Sequence, residues 1–141
     1  MSRFAATALL FHLMNRSSSI TSNSHRELIV WRKSIDLAAE TYRAARALPL
    51  IERFGLAQQM RGAAVSISGN IAEGKGRYQS RDYARFLSVA RGSARELDSH
   101  FAIARKLDYL GDQDLEVAEH LLDEVCRMLT TLMRRIAPLR S

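Results

Sequence analysis

Along residues 83–104 the apolar positions Tyr83, Phe86, Ala90, Ala94, Leu97, Phe101 and Ala104 return at steps of three and four. Such a seven-residue repeat draws one apolar stripe along an α-helix. It cannot be laid on a strand, whose faces alternate at every second residue. Three further segments share this spacing. Leu28, Trp31, Ile35, Ala38, Tyr42 and Ala45 form the first, in a helical pattern that begins at Glu27. Leu56, Met60, Ala63, Ile67 and Ile71 form the second, which stops around Glu73-Gly74. Leu115, Ala118, Leu122, Val125, Leu129, Leu132 and Ile136 form the last, before Pro138. Leu48-Pro49 ends the first helix, because proline disfavours the helical conformation in the residue before it. Ser80 can cap the third helix, with Asp82 in its favourable first turn, and Gly111 is placed to close it. That third helix, at roughly 30 residues, would be about 45 Å long. Four amphipathic helices on short links predict an all-α, antiparallel up-down four-helix bundle.

The chain has 141 residues, one domain's worth, enough to bury about two-thirds of its unfolded surface without a disulfide or metal staple. Residues 1–24 contain no acid and end in a serine-rich stretch; they read as a disordered extension, with weak helical tendency around Ala5–Met14, ahead of a bundle domain over residues 25–141. The lone Cys126 has no partner for an internal disulfide or a zinc site, which points to a reducing, cytoplasmic setting. No apolar run approaches the ~20 residues needed to cross a bilayer, so no membrane is expected. Net charge is +6, and only Lys33, Lys75 and Lys106 are lysines. Arginine's planar fork suits phosphate and carboxylate alike, so the excess admits a nucleic acid or an acidic protein surface.

"SGNIAEGKGR", residues 68–77, approaches the phosphate loop of nucleotide hydrolases. The loop requires Ser or Thr after its lysine to hold magnesium, and Gly76 stands there. Its fold also needs several parallel strands, which the chain does not offer. A second reading takes Gly74 and Gly76 as the backbone freedom that lets the chain leave one helix and turn into the next. Gly62, Ser66 and Gly69 then let a neighbouring backbone approach closely.

"GLAQQMRGAAVSISGNIAEGKGR" followed by "RFLSVARGSARELDSHFAIA" resembles the family of 23S rRNA intervening-sequence proteins. Its distinctive run is matched by Ser66, Ile67, Asn70, Ile71, Ala72, Glu73 and Gly74. Pro49, Glu52, Gly55, Leu56, Gln59, Arg61, Arg77, Phe86, Leu87, Ala90, Gly92, Ser93 and Glu96 also match. Gly62 stands where a second basic residue is common, and Ser68 where proline is common. The resemblance implies a left-handed bundle that assembles as a ring, typically a homopentamer. Some members are encoded within insertions in ribosomal RNA genes, and a related branch looks like a basic, nucleic-acid-binding ring. No catalytic residue is established for the family, so the resemblance implies neither enzyme nor cofactor.

The residues themselves offer one binding feature. At 100° per residue, Arg81, Arg85, Arg91, Arg95 and Lys106 share a 120° arc of the third helix, opposite its apolar stripe; Arg77 joins if the helix starts early. Six basic residues and one acid, Asp82, fall between Lys75 and Arg95. Guanidinium groups at this spacing can track a phosphate backbone. The alternatives are a solvated face, or ion pairs to Glu96, Asp98 or another protein, as in an adaptor without nucleic acid. Ser66, Asn70, Glu73 and Gly74 read as structural, with Asn70 and Glu73 bonding to backbone or to Arg61 or Arg77 near the turn. Tyr78 is the best candidate for base stacking. His100 and His120 could meet across helices, but no paired Glu-x-x-His motif supports a metal site.

Overall fold

The computed structural model describes His25 and residues 28–136; the predicted extension over residues 1–24 lies outside the described residues. Four helices run in order: α1 Ile29–Arg46, α2 Leu56–Lys75, α3 Ser80–Lys106 and α4 Asp112–Ile136, with a 3-10 turn at Leu50–Glu52. Each helix packs on its sequence neighbours, and α1 closes on α4, giving an all-α up-down bundle. Among the described residues there is no strand, and no helix is long and apolar enough to cross a membrane. α3, at 27 residues, is about 40 Å long.

The apolar series of α2 and α4 form the core as read from the sequence. Met60, Ala63, Ile67 and Ile71 of α2 and Leu115, Ala118, Leu122, Val125 and Leu129 of α4 are all buried in it, while Leu56 and Leu132 of the same series are only partly buried. α1 differs. Its core face is Val30, Ser34, Leu37, Thr41, Ala44 and Ala45, while Ile35 and Tyr42 remain 41% and 39% exposed. The expected stripe was therefore rotated away from the true one. Ser34 and Thr41 explain why: each hydroxyl donates to its own helix backbone, to Trp31 O at 2.6 Å and Leu37 O at 2.8 Å. Once satisfied locally, a small hydroxyl can be buried at little cost, whereas Tyr42 would overfill the same site. The first turns of α3 show a similar shift, with Ala84 and Leu87 buried and Tyr83 and Phe86 only partly so.

The glycines act differently from expectation. None has a positive φ, so Gly74 and Gly76 do not supply left-handed backbone freedom. α2 runs through Gly74 to Lys75, and Gly74 instead permits contact. A Cβ there would stand 2.9 Å from Phe86 Cβ and 3.2 Å from the Tyr83 carbonyl oxygen. Gly62 and Gly69 have nothing within 4 Å of an added Cβ, so they face open space and not a neighbouring helix of the same chain. Ser66 alone of that series packs inward, its Oγ 2.8 Å from Ser93 Oγ on α3.

Two helix boundaries were also misplaced. Ser80 makes no capping bond; it is the first residue of α3, behind Gln79. α3 ends before Gly111, through Asp108, whose φ is 58°. Asp108 N–H donates to Arg105 O and Tyr109 N–H to Ala104 O, both at 3.0 Å, which is the Schellman arrangement with aspartate at the usual glycine position. Gly111 instead stands just before α4, its N–H donating to Asp114 Oδ2 at 2.8 Å. At this end Glu52 joins the two links. It accepts Leu56 N–H at 2.9 Å and the Tyr109 hydroxyl at 3.4 Å.

Candidate nucleic-acid interface

The opposite end of the bundle carries the link between α2 and α3. Gly74 lets α3 approach, and the turn is then fixed by short bonds: Gly76 N–H to Ala72 O at 3.2 Å and Arg77 N–H to Gly74 O at 3.1 Å. Glu73 reaches Arg77 at 3.2 Å, one of the pairings its position suggested. The Arg77 and Arg85 guanidinium groups lie 4.6 and 4.7 Å from the Phe86 ring centroid, and Lys75 Nζ lies 5.8 Å from that of Tyr83. Phe86 thus holds two cations within cation–π reach, a geometry that restrains them without neutralising them. Burial pushes the Tyr83 phenol up, so this ring stays neutral beside Lys75.

Asn70 sits deeper. Its Nδ2 donates to Ser66 O at 2.8 Å and to Ser66 Oγ at 3.1 Å, which continues the link to Ser93. This polar chain stitches α2 to α3 one turn before Gly74. Asn70 therefore bonds to backbone, but within α2 and not at the turn.

The cations of α3 mostly lack acidic partners. Among the described residues Arg81, Arg91 and Arg95 form no ion pair, and Arg85 reaches Asp82 only at 4.0 Å. The acids named as alternative partners are not used by these arginines: Glu96 faces His100 at 3.4 Å, and Asp98 forms no pair. His120 turns to Glu124 at 2.8 Å, so the two histidines do not meet, and among the described residues no cluster suits a metal ion.

The stripe also continues where sequence reasoning did not follow it. A shallow groove beside the start of α3 is lined by Gln79, Ser80, Arg81, Asp82, Arg85, Val89 and, from α4, Met133. Arg134 and Arg135 follow Met133 in the last turn of α4. Further along, Arg134 and Arg127 line a second depression around Cys126. Burial pushes the Cys126 thiol up, aided by Asp123 and Asp98, while Arg95 and Arg91 oppose the rise; these two arginines therefore lie on the same flank. Arg127 and Arg134 are seven residues apart, one heptad, and that spacing was the signal available in the sequence. Arg127 is paired with Asp123 at 3.0 Å, so among the described residues Arg134 is the new unpaired member.

Residues 26–131 match the family described as 23S rRNA-intervening sequence protein. The chain belongs to this family. A similar solved structure is the crystal structure of a protein of unknown function from the S23 ribosomal protein family of Bacteroides thetaiotaomicron. It has a TM-score of 0.69 at 20% identity, over 74% of this chain and 98% of the other. At that identity the likeness speaks for the fold alone. A search of curated proteins returns no match. The family's matched positions now have physical roles here: Glu52 and Gly55 at one link, Ser66, Asn70 and Ser93 between α2 and α3, and Glu73, Gly74, Arg77 and Phe86 at the other link.

Proposed function

We propose that this protein is a non-enzymatic, self-associating helical bundle that holds structured RNA or DNA by its phosphate backbone. Lys75, Arg77, Arg81, Arg85, Arg91 and Arg95 supply the contacts, with Arg134 beside them. The observation that carries the reading is the absence of ion pairs at Arg81, Arg91 and Arg95 among the described residues, on a helix whose Asp82 reaches only Arg85, at 4.0 Å, and whose Glu96 faces His100. A guanidinium without an internal acid can meet a phosphate without first giving up a partner. The family's name makes ribosomal RNA the first ligand to try. Recognition is by charge and shape, because among the described residues no element resembles the sheet-based modules that read bases in sequence.

Self-association, as a left-handed bundle repeated in a homopentameric ring, is supported by the outer surface of α1 and α2. Ile35, Tyr42 and Val65 are exposed there, and Gly62 and Gly69 leave room for another backbone. A light-scattering mass equal to a single chain would remove this part of the proposal. For the interface, replacing Arg81, Arg85 and Arg91 together by glutamine is expected to weaken RNA retention and lower the slope of log affinity against log salt by about two to three. Helicity should not change. An unaltered slope, or RNA affinity no greater than that for salt-matched heparin, would refute the assignment.

A further inference from the structure

The geometry points to Tyr78 as a stacking platform for an unpaired base, so that the nucleic acid held at this end presents a single-stranded segment. The inference rests on the backbone-binding reading above and adds the class of ligand. Tyr78 lies in the link between α2 and α3 and is 105% exposed, so its ring projects beyond the fold on every side. Among the described residues it makes no hydrogen bond or ring contact. The other exposed apolar side chains of the nearby helices, such as Val65 and Val89, lie flat on a helix face and are about half covered.

The link that displays the ring is restrained before it by the contacts of Gly74 and Arg77 and after it by the Tyr83 N–H, which donates to Gln79 O at 3.0 Å. Arg77 is held by Glu73 and the Phe86 ring, and Gly74 seats the end of α2 directly on α3. A ligand that met Tyr78 would therefore order one side chain and not a loop, which keeps the entropy cost of binding small. Lys75, Arg77 and Arg81 lie within three residues of Tyr78 in the chain, and the groove lined by Arg81 and Arg85 begins at Gln79, the next residue. An aromatic face amid cations is what a single strand can use, since it offers a free π-face and a phosphate in each nucleotide. A duplex hides its base faces in its own stack and could engage only the cations. Acidic protein segments would meet the arginines as well, yet a lone ring without apolar neighbours gives them no pocket in which to bury an anchor.

The test compares two ligands by fluorescence anisotropy at matched salt: a short oligouridylate and a blunt RNA duplex of equal charge. Tyr78→Ala is expected to weaken oligouridylate binding about tenfold, while duplex binding stays within about twofold. Tyr78→Phe should bind like the parent, because the ring and not the hydroxyl stacks. Equal effects of Tyr78→Ala on both ligands, or none on the oligouridylate, would overturn the inference. So would polyglutamate that competes fully for a Tyr78-dependent site, which would mark the surface as a protein dock. If the arginine-to-glutamine variant loses both ligands while Tyr78→Ala is silent, the stacking inference falls alone. Should that variant lose neither, the backbone reading falls and takes the inference with it.

Discussion

Gly74 and Gly69 lie in the same helix, one and a half turns apart, and the structure assigns them opposite responses to one methyl group. At Gly74 the added carbon would be 2.9 Å from Phe86 Cβ, 3.0 Å from Tyr83 Cδ2 and 3.2 Å from the Tyr83 carbonyl oxygen. The first and last of these are tied to the backbone of α3 and cannot rotate aside, so α2 and α3 must separate. Overpacking of this kind costs about 1–3 kcal/mol, against which alanine returns about 1 kcal/mol of helix propensity. Gly74→Ala should therefore lose up to about 2 kcal/mol. At Gly69 no described atom of the same chain lies within 4 Å, so within a single chain only the propensity gain of about 1 kcal/mol remains. For a chain of this size each kcal/mol moves Tm by about 3–5 °C, so thermal unfolding followed by far-ultraviolet circular dichroism separates the variants on either side of the parent. Gly74→Ala melting above the parent would refute the close approach of α2 to α3. Gly69→Ala melting below the parent, with its light-scattering mass unchanged, would refute the open setting of that residue.

The Schellman turn after α3 predicts that Asp108→Gly stabilises by about 1 kcal/mol, because glycine occupies a φ of 58° without the Cβ penalty; the same melting measurement checks it, and no rise in Tm counts against the turn. Cys126, whose thiol is pushed up first by burial and then by Asp123 and Asp98, is expected to react with iodoacetamide at mildly alkaline pH more slowly than a free thiol such as glutathione; a faster reaction would show that Arg91 and Arg95 dominate its surroundings.

Helix number, order and most of the core were legible because α2 and α4 bury continuous apolar series whose spacing has no competing explanation. α1 was not, and the cause is physical. Its sequence offers two overlapping stripes, and the more apolar one, through Ile35 and Tyr42, lies outside. The buried stripe includes Ser34 and Thr41, which count as polar in a sequence but bring their own acceptors. A one-residue rotation of α1 followed. The apolar surplus on its outer face is what a monomer does not need, and this is why it supports self-association. The glycines teach a related lesson. Turn chemistry and close packing both favour glycine, and only three-dimensional neighbours distinguish Gly74, which is crowded, from Gly69, which is not. The arginines of α3 were legible as a stripe from angle alone, but its extension to Arg134 required knowing that α4 lies alongside.

The distribution of acids gives the binding surface its strongest physical rationale. Where the bundle needs charge for its own cohesion it uses pairs between helices: Lys33 with Glu124 at 2.5 Å, and Arg105 with both Asp112 at 2.9 Å and Glu119. These pairs join α1 to α4 and α3 to α4, and glutamate hydrogen bonds hold the Arg105 guanidinium firmly protonated. On the outer face of α3 the pattern reverses. Arg81 and Arg85, and again Arg91 and Arg95, stand four residues apart with like charge, each pair costing about 0.2–0.5 kcal/mol in an isolated helix. Glutamate at one position of each pair would remove that repulsion and add a stabilising contact, as Glu73 does for Arg77. The chain thus carries a small local instability on a face where, among the described residues, Arg81, Arg91 and Arg95 have no ion pair, and under the proposed function an external polyanion would relieve it.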